Sequence, residues 1–389
     1  MNDLKRDADR LAARLVEWRR ELHRNPEIGF DVRRTAEFVA RRLEDLGVEV
    51  RTGIGRTGVV GILRSDRGGG TILLRADMDA LPVHEVQGRE YGSTIPGLMH
   101  ACGHDGHVAM LLGAAALLVS RRASLPRGVA FCFQPAEEGE GGAREMIEDG
   151  VLETTGATEA YALHLWSQFP AGTLRVRTGP VMAAQDEFSA TIVGRGGHAA
   201  FPHETADPIV AASQAVAALQ AVVARSVDPL EPAVVSVGSF HAGSAPNAIP
   251  DEARLAGTLR SFRPEVRDLL ARRVREVLEA AARGAGCRLD LDLRPGYPAV
   301  VNDAGATARL REAASAALGP AAVLEAAPMA ASEDFAYFLE RVPGAFAFLG
   351  AGNPVRGIDA PHHSPRFDID ESALPRGAEI LARVAIGPA

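Results

Sequence analysis

The chain has little cysteine: three residues in 389, at Cys102, Cys132 and Cys287. An odd, low count excludes a disulfide framework and fits a reducing compartment. It also lacks a positive surplus, with 42 basic residues against 50 acidic and a net charge of −8. A general nucleic-acid or anionic-membrane binder needs a positive field, so neither partner is expected. Long apolar runs are missing too. The longest are residues 108–119 and residues 209–224, the second interrupted by Ser213, Gln214 and Gln220. Neither offers the ~18 unbroken residues that a membrane span needs. The N-terminal stretch has no apolar core of the signal-peptide kind. The expectation is a cytoplasmic protein with no membrane partner. No repeat is visible, which excludes a solenoid.

What is present is ordinary globular material, 47% hydrophobic and 24% charged. The length suits two to three domains at roughly 150 residues each. Residues 4–46 read as two amphipathic helices broken at Asn25-Pro26, the second stopped by Gly47. Nearly continuous apolar runs at 59–63, 71–76, 129–133 and 160–166 read as strands covered on both faces. Helical stretches at 107–121 and 143–149 lie between them, an α/β alternation. The middle differs. Strands at 187–193, 233–240, 252–261 and 287–293 and helices at 207–225 and 264–283 give the order β-α-β-β-α-β. The α/β pattern then resumes with a helix at 303–318, a strand at 345–349 and a helix at 372–384. The expected fold is therefore α/β: a mixed sheet flanked by helices, built from residues 1–184 and 297–389. Residues 185–296 would form an inserted two-layer, ferredoxin-like domain.

Chemistry-bearing residues gather where the strands end. His100, Cys102, His104, Asp105 and His107 form the densest cluster. Cys102 and His104 are two apart and share a face in extended backbone, a thiolate and an imidazole suited to a transition metal. Gly103 and Gly106 let the chain bend closely there. Glu137 and Glu138 follow the strand at 129–133 between Pro135 and Gly139. Past a strand end both can turn inward, one holding metal while the other handles protons. His164 closes the strand at 160–166, and His362-His363 follows the strand at 345–349. Asp77 and Asp79 share a face after the strand at 71–76, placed to orient a ligand imidazole. Ligands of open α/β sheets bind at such carboxyl ends. His23, His84, His203 and His241 show no partner pattern and read as structural or surface residues. Cys132 and Cys287 read as inert core thiols.

These pieces resemble the metal-dependent amidohydrolases that include aminoacylases, hippurate hydrolases and indole-acetyl-amino-acid hydrolases, in the branch with a cysteine metal ligand. The matching motifs are RADMDALP, MHACGHDGH, QPAEEG, ALHLW, GRGGHAAFPH, PNAIPDEA, SEDFA and HHSPRFDID, in the family's order across nearly the whole chain. The resemblance implies Cys102, His104, Glu138, His164 and His363 as ligands and Glu137 as general base. It selects His363 over His362 because the family histidine directly precedes Ser-Pro. Five side chains make six donations if the thiolate bridges, enough for two ions at three each. Zinc or manganese is expected, with cobalt or nickel as further options. The resemblance also implies an inserted lid and dimerisation domain, hence a homodimer. There His198 would stabilise the transition-state oxygen, and Asn247 and Arg260 would bind the substrate. Related proteins carry a ligand histidine where this chain has Asp77, and Cys102 with His104 takes over from it. The implied substrate is a small N-acyl amino acid. A metallo-dipeptidase or carboxypeptidase acting on small peptides is the alternative.

Overall fold

Two amphipathic helices, Asn2–Arg24 and Arg33–Asp45, open the chain in a computed structural model that describes residues 2–387. The first buries Leu4, Ala8, Leu15, Trp18 and Leu22, a stripe at helical spacing. It stops at Asn25-Pro26, where the proline ring disfavours helical backbone in the residue before it. The described chain divides into two units.

The first unit takes the chain up to Val181, then Val301–Ala327, and everything described from Asp334 onward. Its eight-stranded mixed sheet runs in the order Glu49–Ile54, Gly58–Leu63, Gly128–Gln134, Thr71–Asp77, Ala157–Pro170, Gly344–Gly352, Leu174–Val176 and Val323–Glu325. The inner strands Thr71–Asp77, Gly128–Gln134, Ala157–Pro170 and Gly344–Gly352 are mutually parallel. Gly58–Leu63, Gly128–Gln134 and Gly344–Gly352 are buried at every position, as continuous apolar runs require. The helix His104–Val119 is buried on nearly its whole circumference. It packs between the first helix and the C-terminal helix Ala373–Ile386.

The second unit comprises Met182–Val300 and Pro328–Glu333. Its four-stranded antiparallel sheet has the order Ala233–Ala242, Glu252–Ser261, Ala184–Val193, Arg288–Pro295. Helices Pro208–Ser226 and Pro264–Gly284 cover one face. Asp207 caps the first of them, its carboxylate accepting from the backbone N–H of Ile209 and Val210. One expectation is corrected here. Pro208–Ser226 is long and apolar enough, by length and composition, to cross a membrane. Ser213, Gln214 and Gln220 are too weakly polar to interrupt it. Its Ala211, Ala212, Ala215, Leu219 and Val222 are instead buried in this unit's own core.

Candidate metal centre

The sheet of the first unit opens at one place. Thr71–Asp77 pairs with Gly128–Gln134 along its full length, but with Ala157–Pro170 only as far as Arg75 opposite Ala162. Beyond that point Ala157–Pro170 pairs onward with Gly344–Gly352 alone, His164 standing opposite Phe348. The parting of two parallel strands at their carboxyl ends makes a crevice. His164 therefore does not close its strand, as the sequence suggested, but lies within a strand that runs on to Pro170. Its Nδ1–H donates to Leu165 O (2.8 Å), which leaves Nε2 facing Cys102 Sγ at 3.5 Å.

Cys102 and His104 come together by a different geometry from the extended one expected. The helix begins at His104, and Gly103 before it takes a left-handed φ of 87°. That turn, open to glycine without penalty, brings thiol and imidazole to the same spot. Gly106 is already inside the helix, where a Cβ would stand 2.5 Å from Leu165 Cδ1. His104 Nδ1–H donates to the backbone carbonyl of Asp79 (2.8 Å), so Nε2 is the nitrogen left to face Glu138. Asp79 thus orients the imidazole through its main chain. Its carboxylate does something the sequence did not indicate: Oδ1 and Oδ2 accept from the backbone N–H of Glu137 and Glu138, each at 3.0 Å. Those two bonds fix the turn that carries both glutamates. Ala136 in that turn has a left-handed φ of 56°, and Gly142 N donates to Ala136 O (2.9 Å).

His363 also has a left-handed backbone, φ 64°, and its N–H donates to Ala101 O (2.8 Å). Its Nε2 lies 3.5 Å from Glu138 Oε1. His362 turns away: Nε2 meets Leu165 O (3.0 Å) and the ring stacks on Trp166 at 4.2 Å. Two triplets result, Cys102–His104–His164 and Cys102–Glu138–His363, with donor atoms of each within 4.8 Å of one another. They share Cys102. Glu137 lies in a further such group with His104 and Glu138.

The donor set suits divalent cations. His104 Nε2 and Glu138 Oε1 are buried without a hydrogen-bond partner and lie 3.8 Å apart. Burial, then the nearby Glu138, Glu137 and Asp77 carboxylates, pushes the Cys102 thiol well above its ordinary range. Burial disfavours a charged His104, yet Asp77, Asp79 and Glu138 outweigh it and hold its pKa at about 10. Burial, with His107 and His362 beside it, keeps His164 neutral. The same carboxylates that hold a proton on His104 would favour a divalent cation, which displaces that proton when the imidazole ligates. They are the wrong setting for a nucleophilic cysteine, which needs a lowered pKa.

A layer of polar residues lies behind the donor groups, with Asp77 in it as the sequence suggests and with Arg75, Gln134 and Asp334 added to it. Asp77 accepts from Arg75 (2.7 Å) and His107 (2.6 Å), and stands 3.6 Å from His104 Nε2. Arg75 also donates to Asp334 (2.9 Å), which accepts from Gln134 and the N–H of Ala143. His23, taken as structural or surface, is wholly buried between Asp105 and Glu85. Arg19 and His23 occupy the apolar stripe of Leu15 and Leu22, where a solvent-facing charge does not belong. Cys132 is a buried thiol pushed up to about 12 by burial.

In the second unit His198 and Asn247 are neighbours on a small ribbon. Gly197–His198 pairs with Ala248–Ile249, His198 opposite Ala248, and Ala199 N donates to Asn247 O (3.0 Å). Both side chains are exposed. Arg260 is half-buried on the strand Glu252–Ser261 and donates to Ser332 Oγ (3.2 Å).

Comparison with known proteins adds the following. The model of peptidase family M20/M25/M40 matches residues 73–386. The N-acetyl-L-cysteine deacetylase of Bacillus subtilis is 41% identical over 371 residues, covering 95% of this chain and 87% of that protein. Thermostable carboxypeptidase 2 of Saccharolobus solfataricus is 40% identical over 388 residues, covering 98% and 97%. Among solved structures, the YXEP protein of Bacillus subtilis, described as a dinuclear metal-binding peptidase, superposes with a TM-score of 0.85 at 36% identity, covering 97% of this chain and 98% of that one.

Proposed function

The chain is an amidohydrolase belonging to peptidase family M20/M25/M40, and on that premise we propose that it hydrolyses the amide bond of N-acyl amino acids, of the N-acetyl, N-benzoyl or indole-acetyl type. The observation that carries this reading is the shared thiol: Cys102 belongs to both donor triplets, so five side chains would suffice for two ions. Cys102, His104 and His164 would hold one divalent transition ion and Cys102, Glu138 and His363 the other, zinc or manganese first in expectation. When bound, such a pair supplies Lewis-acid polarisation of the scissile carbonyl and a more acidic attacking water.

The chain's own groups do the rest. Glu137, buried and with its main chain pinned by Asp79, takes the proton from the attacking water and delivers it to the leaving nitrogen. His198 stabilises the developing oxyanion. Asn247 and Arg260 receive the substrate, Arg260 answering the free carboxylate of an N-acyl amino acid. The exposed position of His198 supports a role toward the opposite subunit of a homodimer formed through the second unit. A second reading, cleavage of small peptides, is favoured by the likeness to the Saccharolobus carboxypeptidase. It uses the same ion pair and the same carboxylate contact.

The test is a hydrolysis screen of N-acetyl, N-benzoyl and indole-acetyl amino acids beside dipeptides, with zinc, manganese, cobalt or nickel added. Turnover of the N-acyl substrates that a chelator abolishes is expected. Preferential cleavage of dipeptides would move the assignment to the second reading. Full turnover by metal-free protein would overturn both.

A further inference from the structure

The two ligand segments around His104 and His363 are far apart in sequence, yet buried charges join them. Arg19, on the first helix, is fully buried. Its Nε donates to Asp105 Oδ2 (2.7 Å), in the residue after His104. Its Nη2 donates to Asp368 Oδ1 (2.8 Å) and its Nη1 to Glu371 Oε1 (3.3 Å), both in the segment that follows His363. One guanidinium therefore spans both segments.

A second path closes a ring. His23 meets Asp105 Oδ2 through Nδ1 (2.8 Å) and Glu85 Oε1 through Nε2 (3.3 Å). Arg89 donates to the same Glu85 oxygen (3.0 Å) and to the carbonyls of Arg366 and Phe367, each at 2.6 Å. Tyr91 OH donates to Asp368 Oδ2 (2.7 Å). None of these residues belongs to either triplet.

The two segments need this support unequally. His104 opens a helix buried almost all round. His363 sits in a loop with left-handed backbone and a side chain 55% exposed. Besides the bond from His363 N–H to Ala101 O, what ties this loop down is the set of bonds to the carbonyls and carboxylate downstream. We propose that Arg19 and Arg89 are positioning residues for the Cys102–Glu138–His363 set, holding the His363 segment against the His104 helix so that the second ion binds tightly. The inference rests on the dinuclear reading above. Side chains that orient ligands are worth ~10–100-fold in metal affinity.

The test is a titration of metal-free full-length protein with Zn²⁺ against a chromophoric chelator, alongside thermal unfolding of the metal-free forms. His363→Ala identifies the step that belongs to the His363 set. Arg89→Met is the principal variant, because the Arg89 side chain is 23% exposed whereas Arg19 is wholly buried. Arg19→Met and Tyr91→Phe accompany it, and Tyr91→Phe replaces Arg19→Met if the latter fails to fold. Expected are two steps in the wild type, and in the variants a loss of ~10–100-fold in the His363 step with the other step within about twofold. Wild-type affinities in a folded Arg89→Met protein would overturn the proposal, as would an equal loss in both steps, which is the mark of general loosening. A wild type that binds fewer than two ions would overturn the dinuclear reading itself, and the proposal with it.

Discussion

The ring of His107 donates to Asp77 Oδ1 across 2.6 Å, with its tautomer fixed from the other side by Leu165 N–H, which gives its hydrogen to Nε2 at 2.8 Å. Both ring nitrogens of His107 are thus engaged, although it groups with Asp77 and His104 closely enough to hold an ion. It and Arg75 together occupy the Asp77 carboxylate. Replacing Asp77 by Asn should keep both ions bound but ~10–100-fold more weakly. Nitrogen NMR of His107 should show Nδ1 protonated in the wild type and that preference lost in the variant. Complete loss of one ion from Asp77→Asn would instead make Asp77 a ligand.

Adjacent glutamates should separate cleanly. Glu137→Gln is expected to keep its metal content and lose ~10²–10⁴-fold in turnover. Glu138→Gln should lose metal affinity first and regain part of its turnover in excess metal. Metal analysis beside kinetics decides it, and recovery of Glu137→Gln in excess metal would reverse the two roles.

Gly142 offers a test of the turn that carries them. A Cβ there would stand 1.7 Å from Pro135 O, so Gly142→Ala must push the Pro135–Ala136 backbone. A shift of about 1 Å at a catalytic group costs up to ~10²-fold in rate. The expected outcome is a folded protein with a large fall in kcat. Unchanged kcat would show that the turn absorbs the shift.

His23 gives a pH signature in stability. Burial and Arg19 oppose its protonation, but Asp105 and Glu85 outweigh them and raise its pKa above the ordinary value of 6.5. Tyr91 and His100 complete its surroundings, their rings 5.8 and 6.4 Å away. Between the unfolded and folded pKa the folded state binds the extra proton. The stabilisation is thus full below about 6.5 and is lost as pH rises through the folded value. Denaturant unfolding of wild type and His23→Gln should show a stability gap that narrows as pH is raised. A gap that widens would mean His23 is held neutral.

His198 is tested by mixing. Inactive His198→Ala and inactive Glu137→Gln chains co-expressed equally should form about half mixed dimers, each with one intact composite site. About a quarter of native activity is expected to return. No recovery, with mixed dimers verified by mass spectrometry, would keep His198 in its own subunit's site or outside catalysis.

Apolar periodicity made the buried elements legible. The strands Gly58–Leu63, Thr71–Asp77 and Gly128–Gln134 stand within a residue or so of the runs read from sequence, and Glu252–Ser261 matches its run at both ends. What escaped is what carries no such signal. Glu49–Ile54 is a largely exposed edge strand with only Val50 and Ile54 half-buried, and Gly197–His198 and Ala248–Ile249 are too short to show a period. At the site, residue types pointed to side chains that the fold brings into two donor triplets, because metal chemistry restricts ligands to few residue types. Their geometry was not legible: the left-handed turns at Gly103, Ala136 and His363 depend on neighbours distant in sequence. The same holds for Arg19, whose partners Asp105 and Asp368 lie on segments that only the folded chain brings together.

The strand Gly344–Gly352 lies inside the eight-stranded sheet, between Ala157–Pro170 and Leu174–Val176, although it is the last strand of the chain. During synthesis the sheet must wait with an open slot. Until that strand emerges, Ala157–Pro170 presents an unpaired edge, the kind of surface on which nascent chains associate wrongly. Loop closure over so long a separation is slow. His363 arrives later still, so on the dinuclear reading the second ion can be captured only after that strand has been threaded into the sheet.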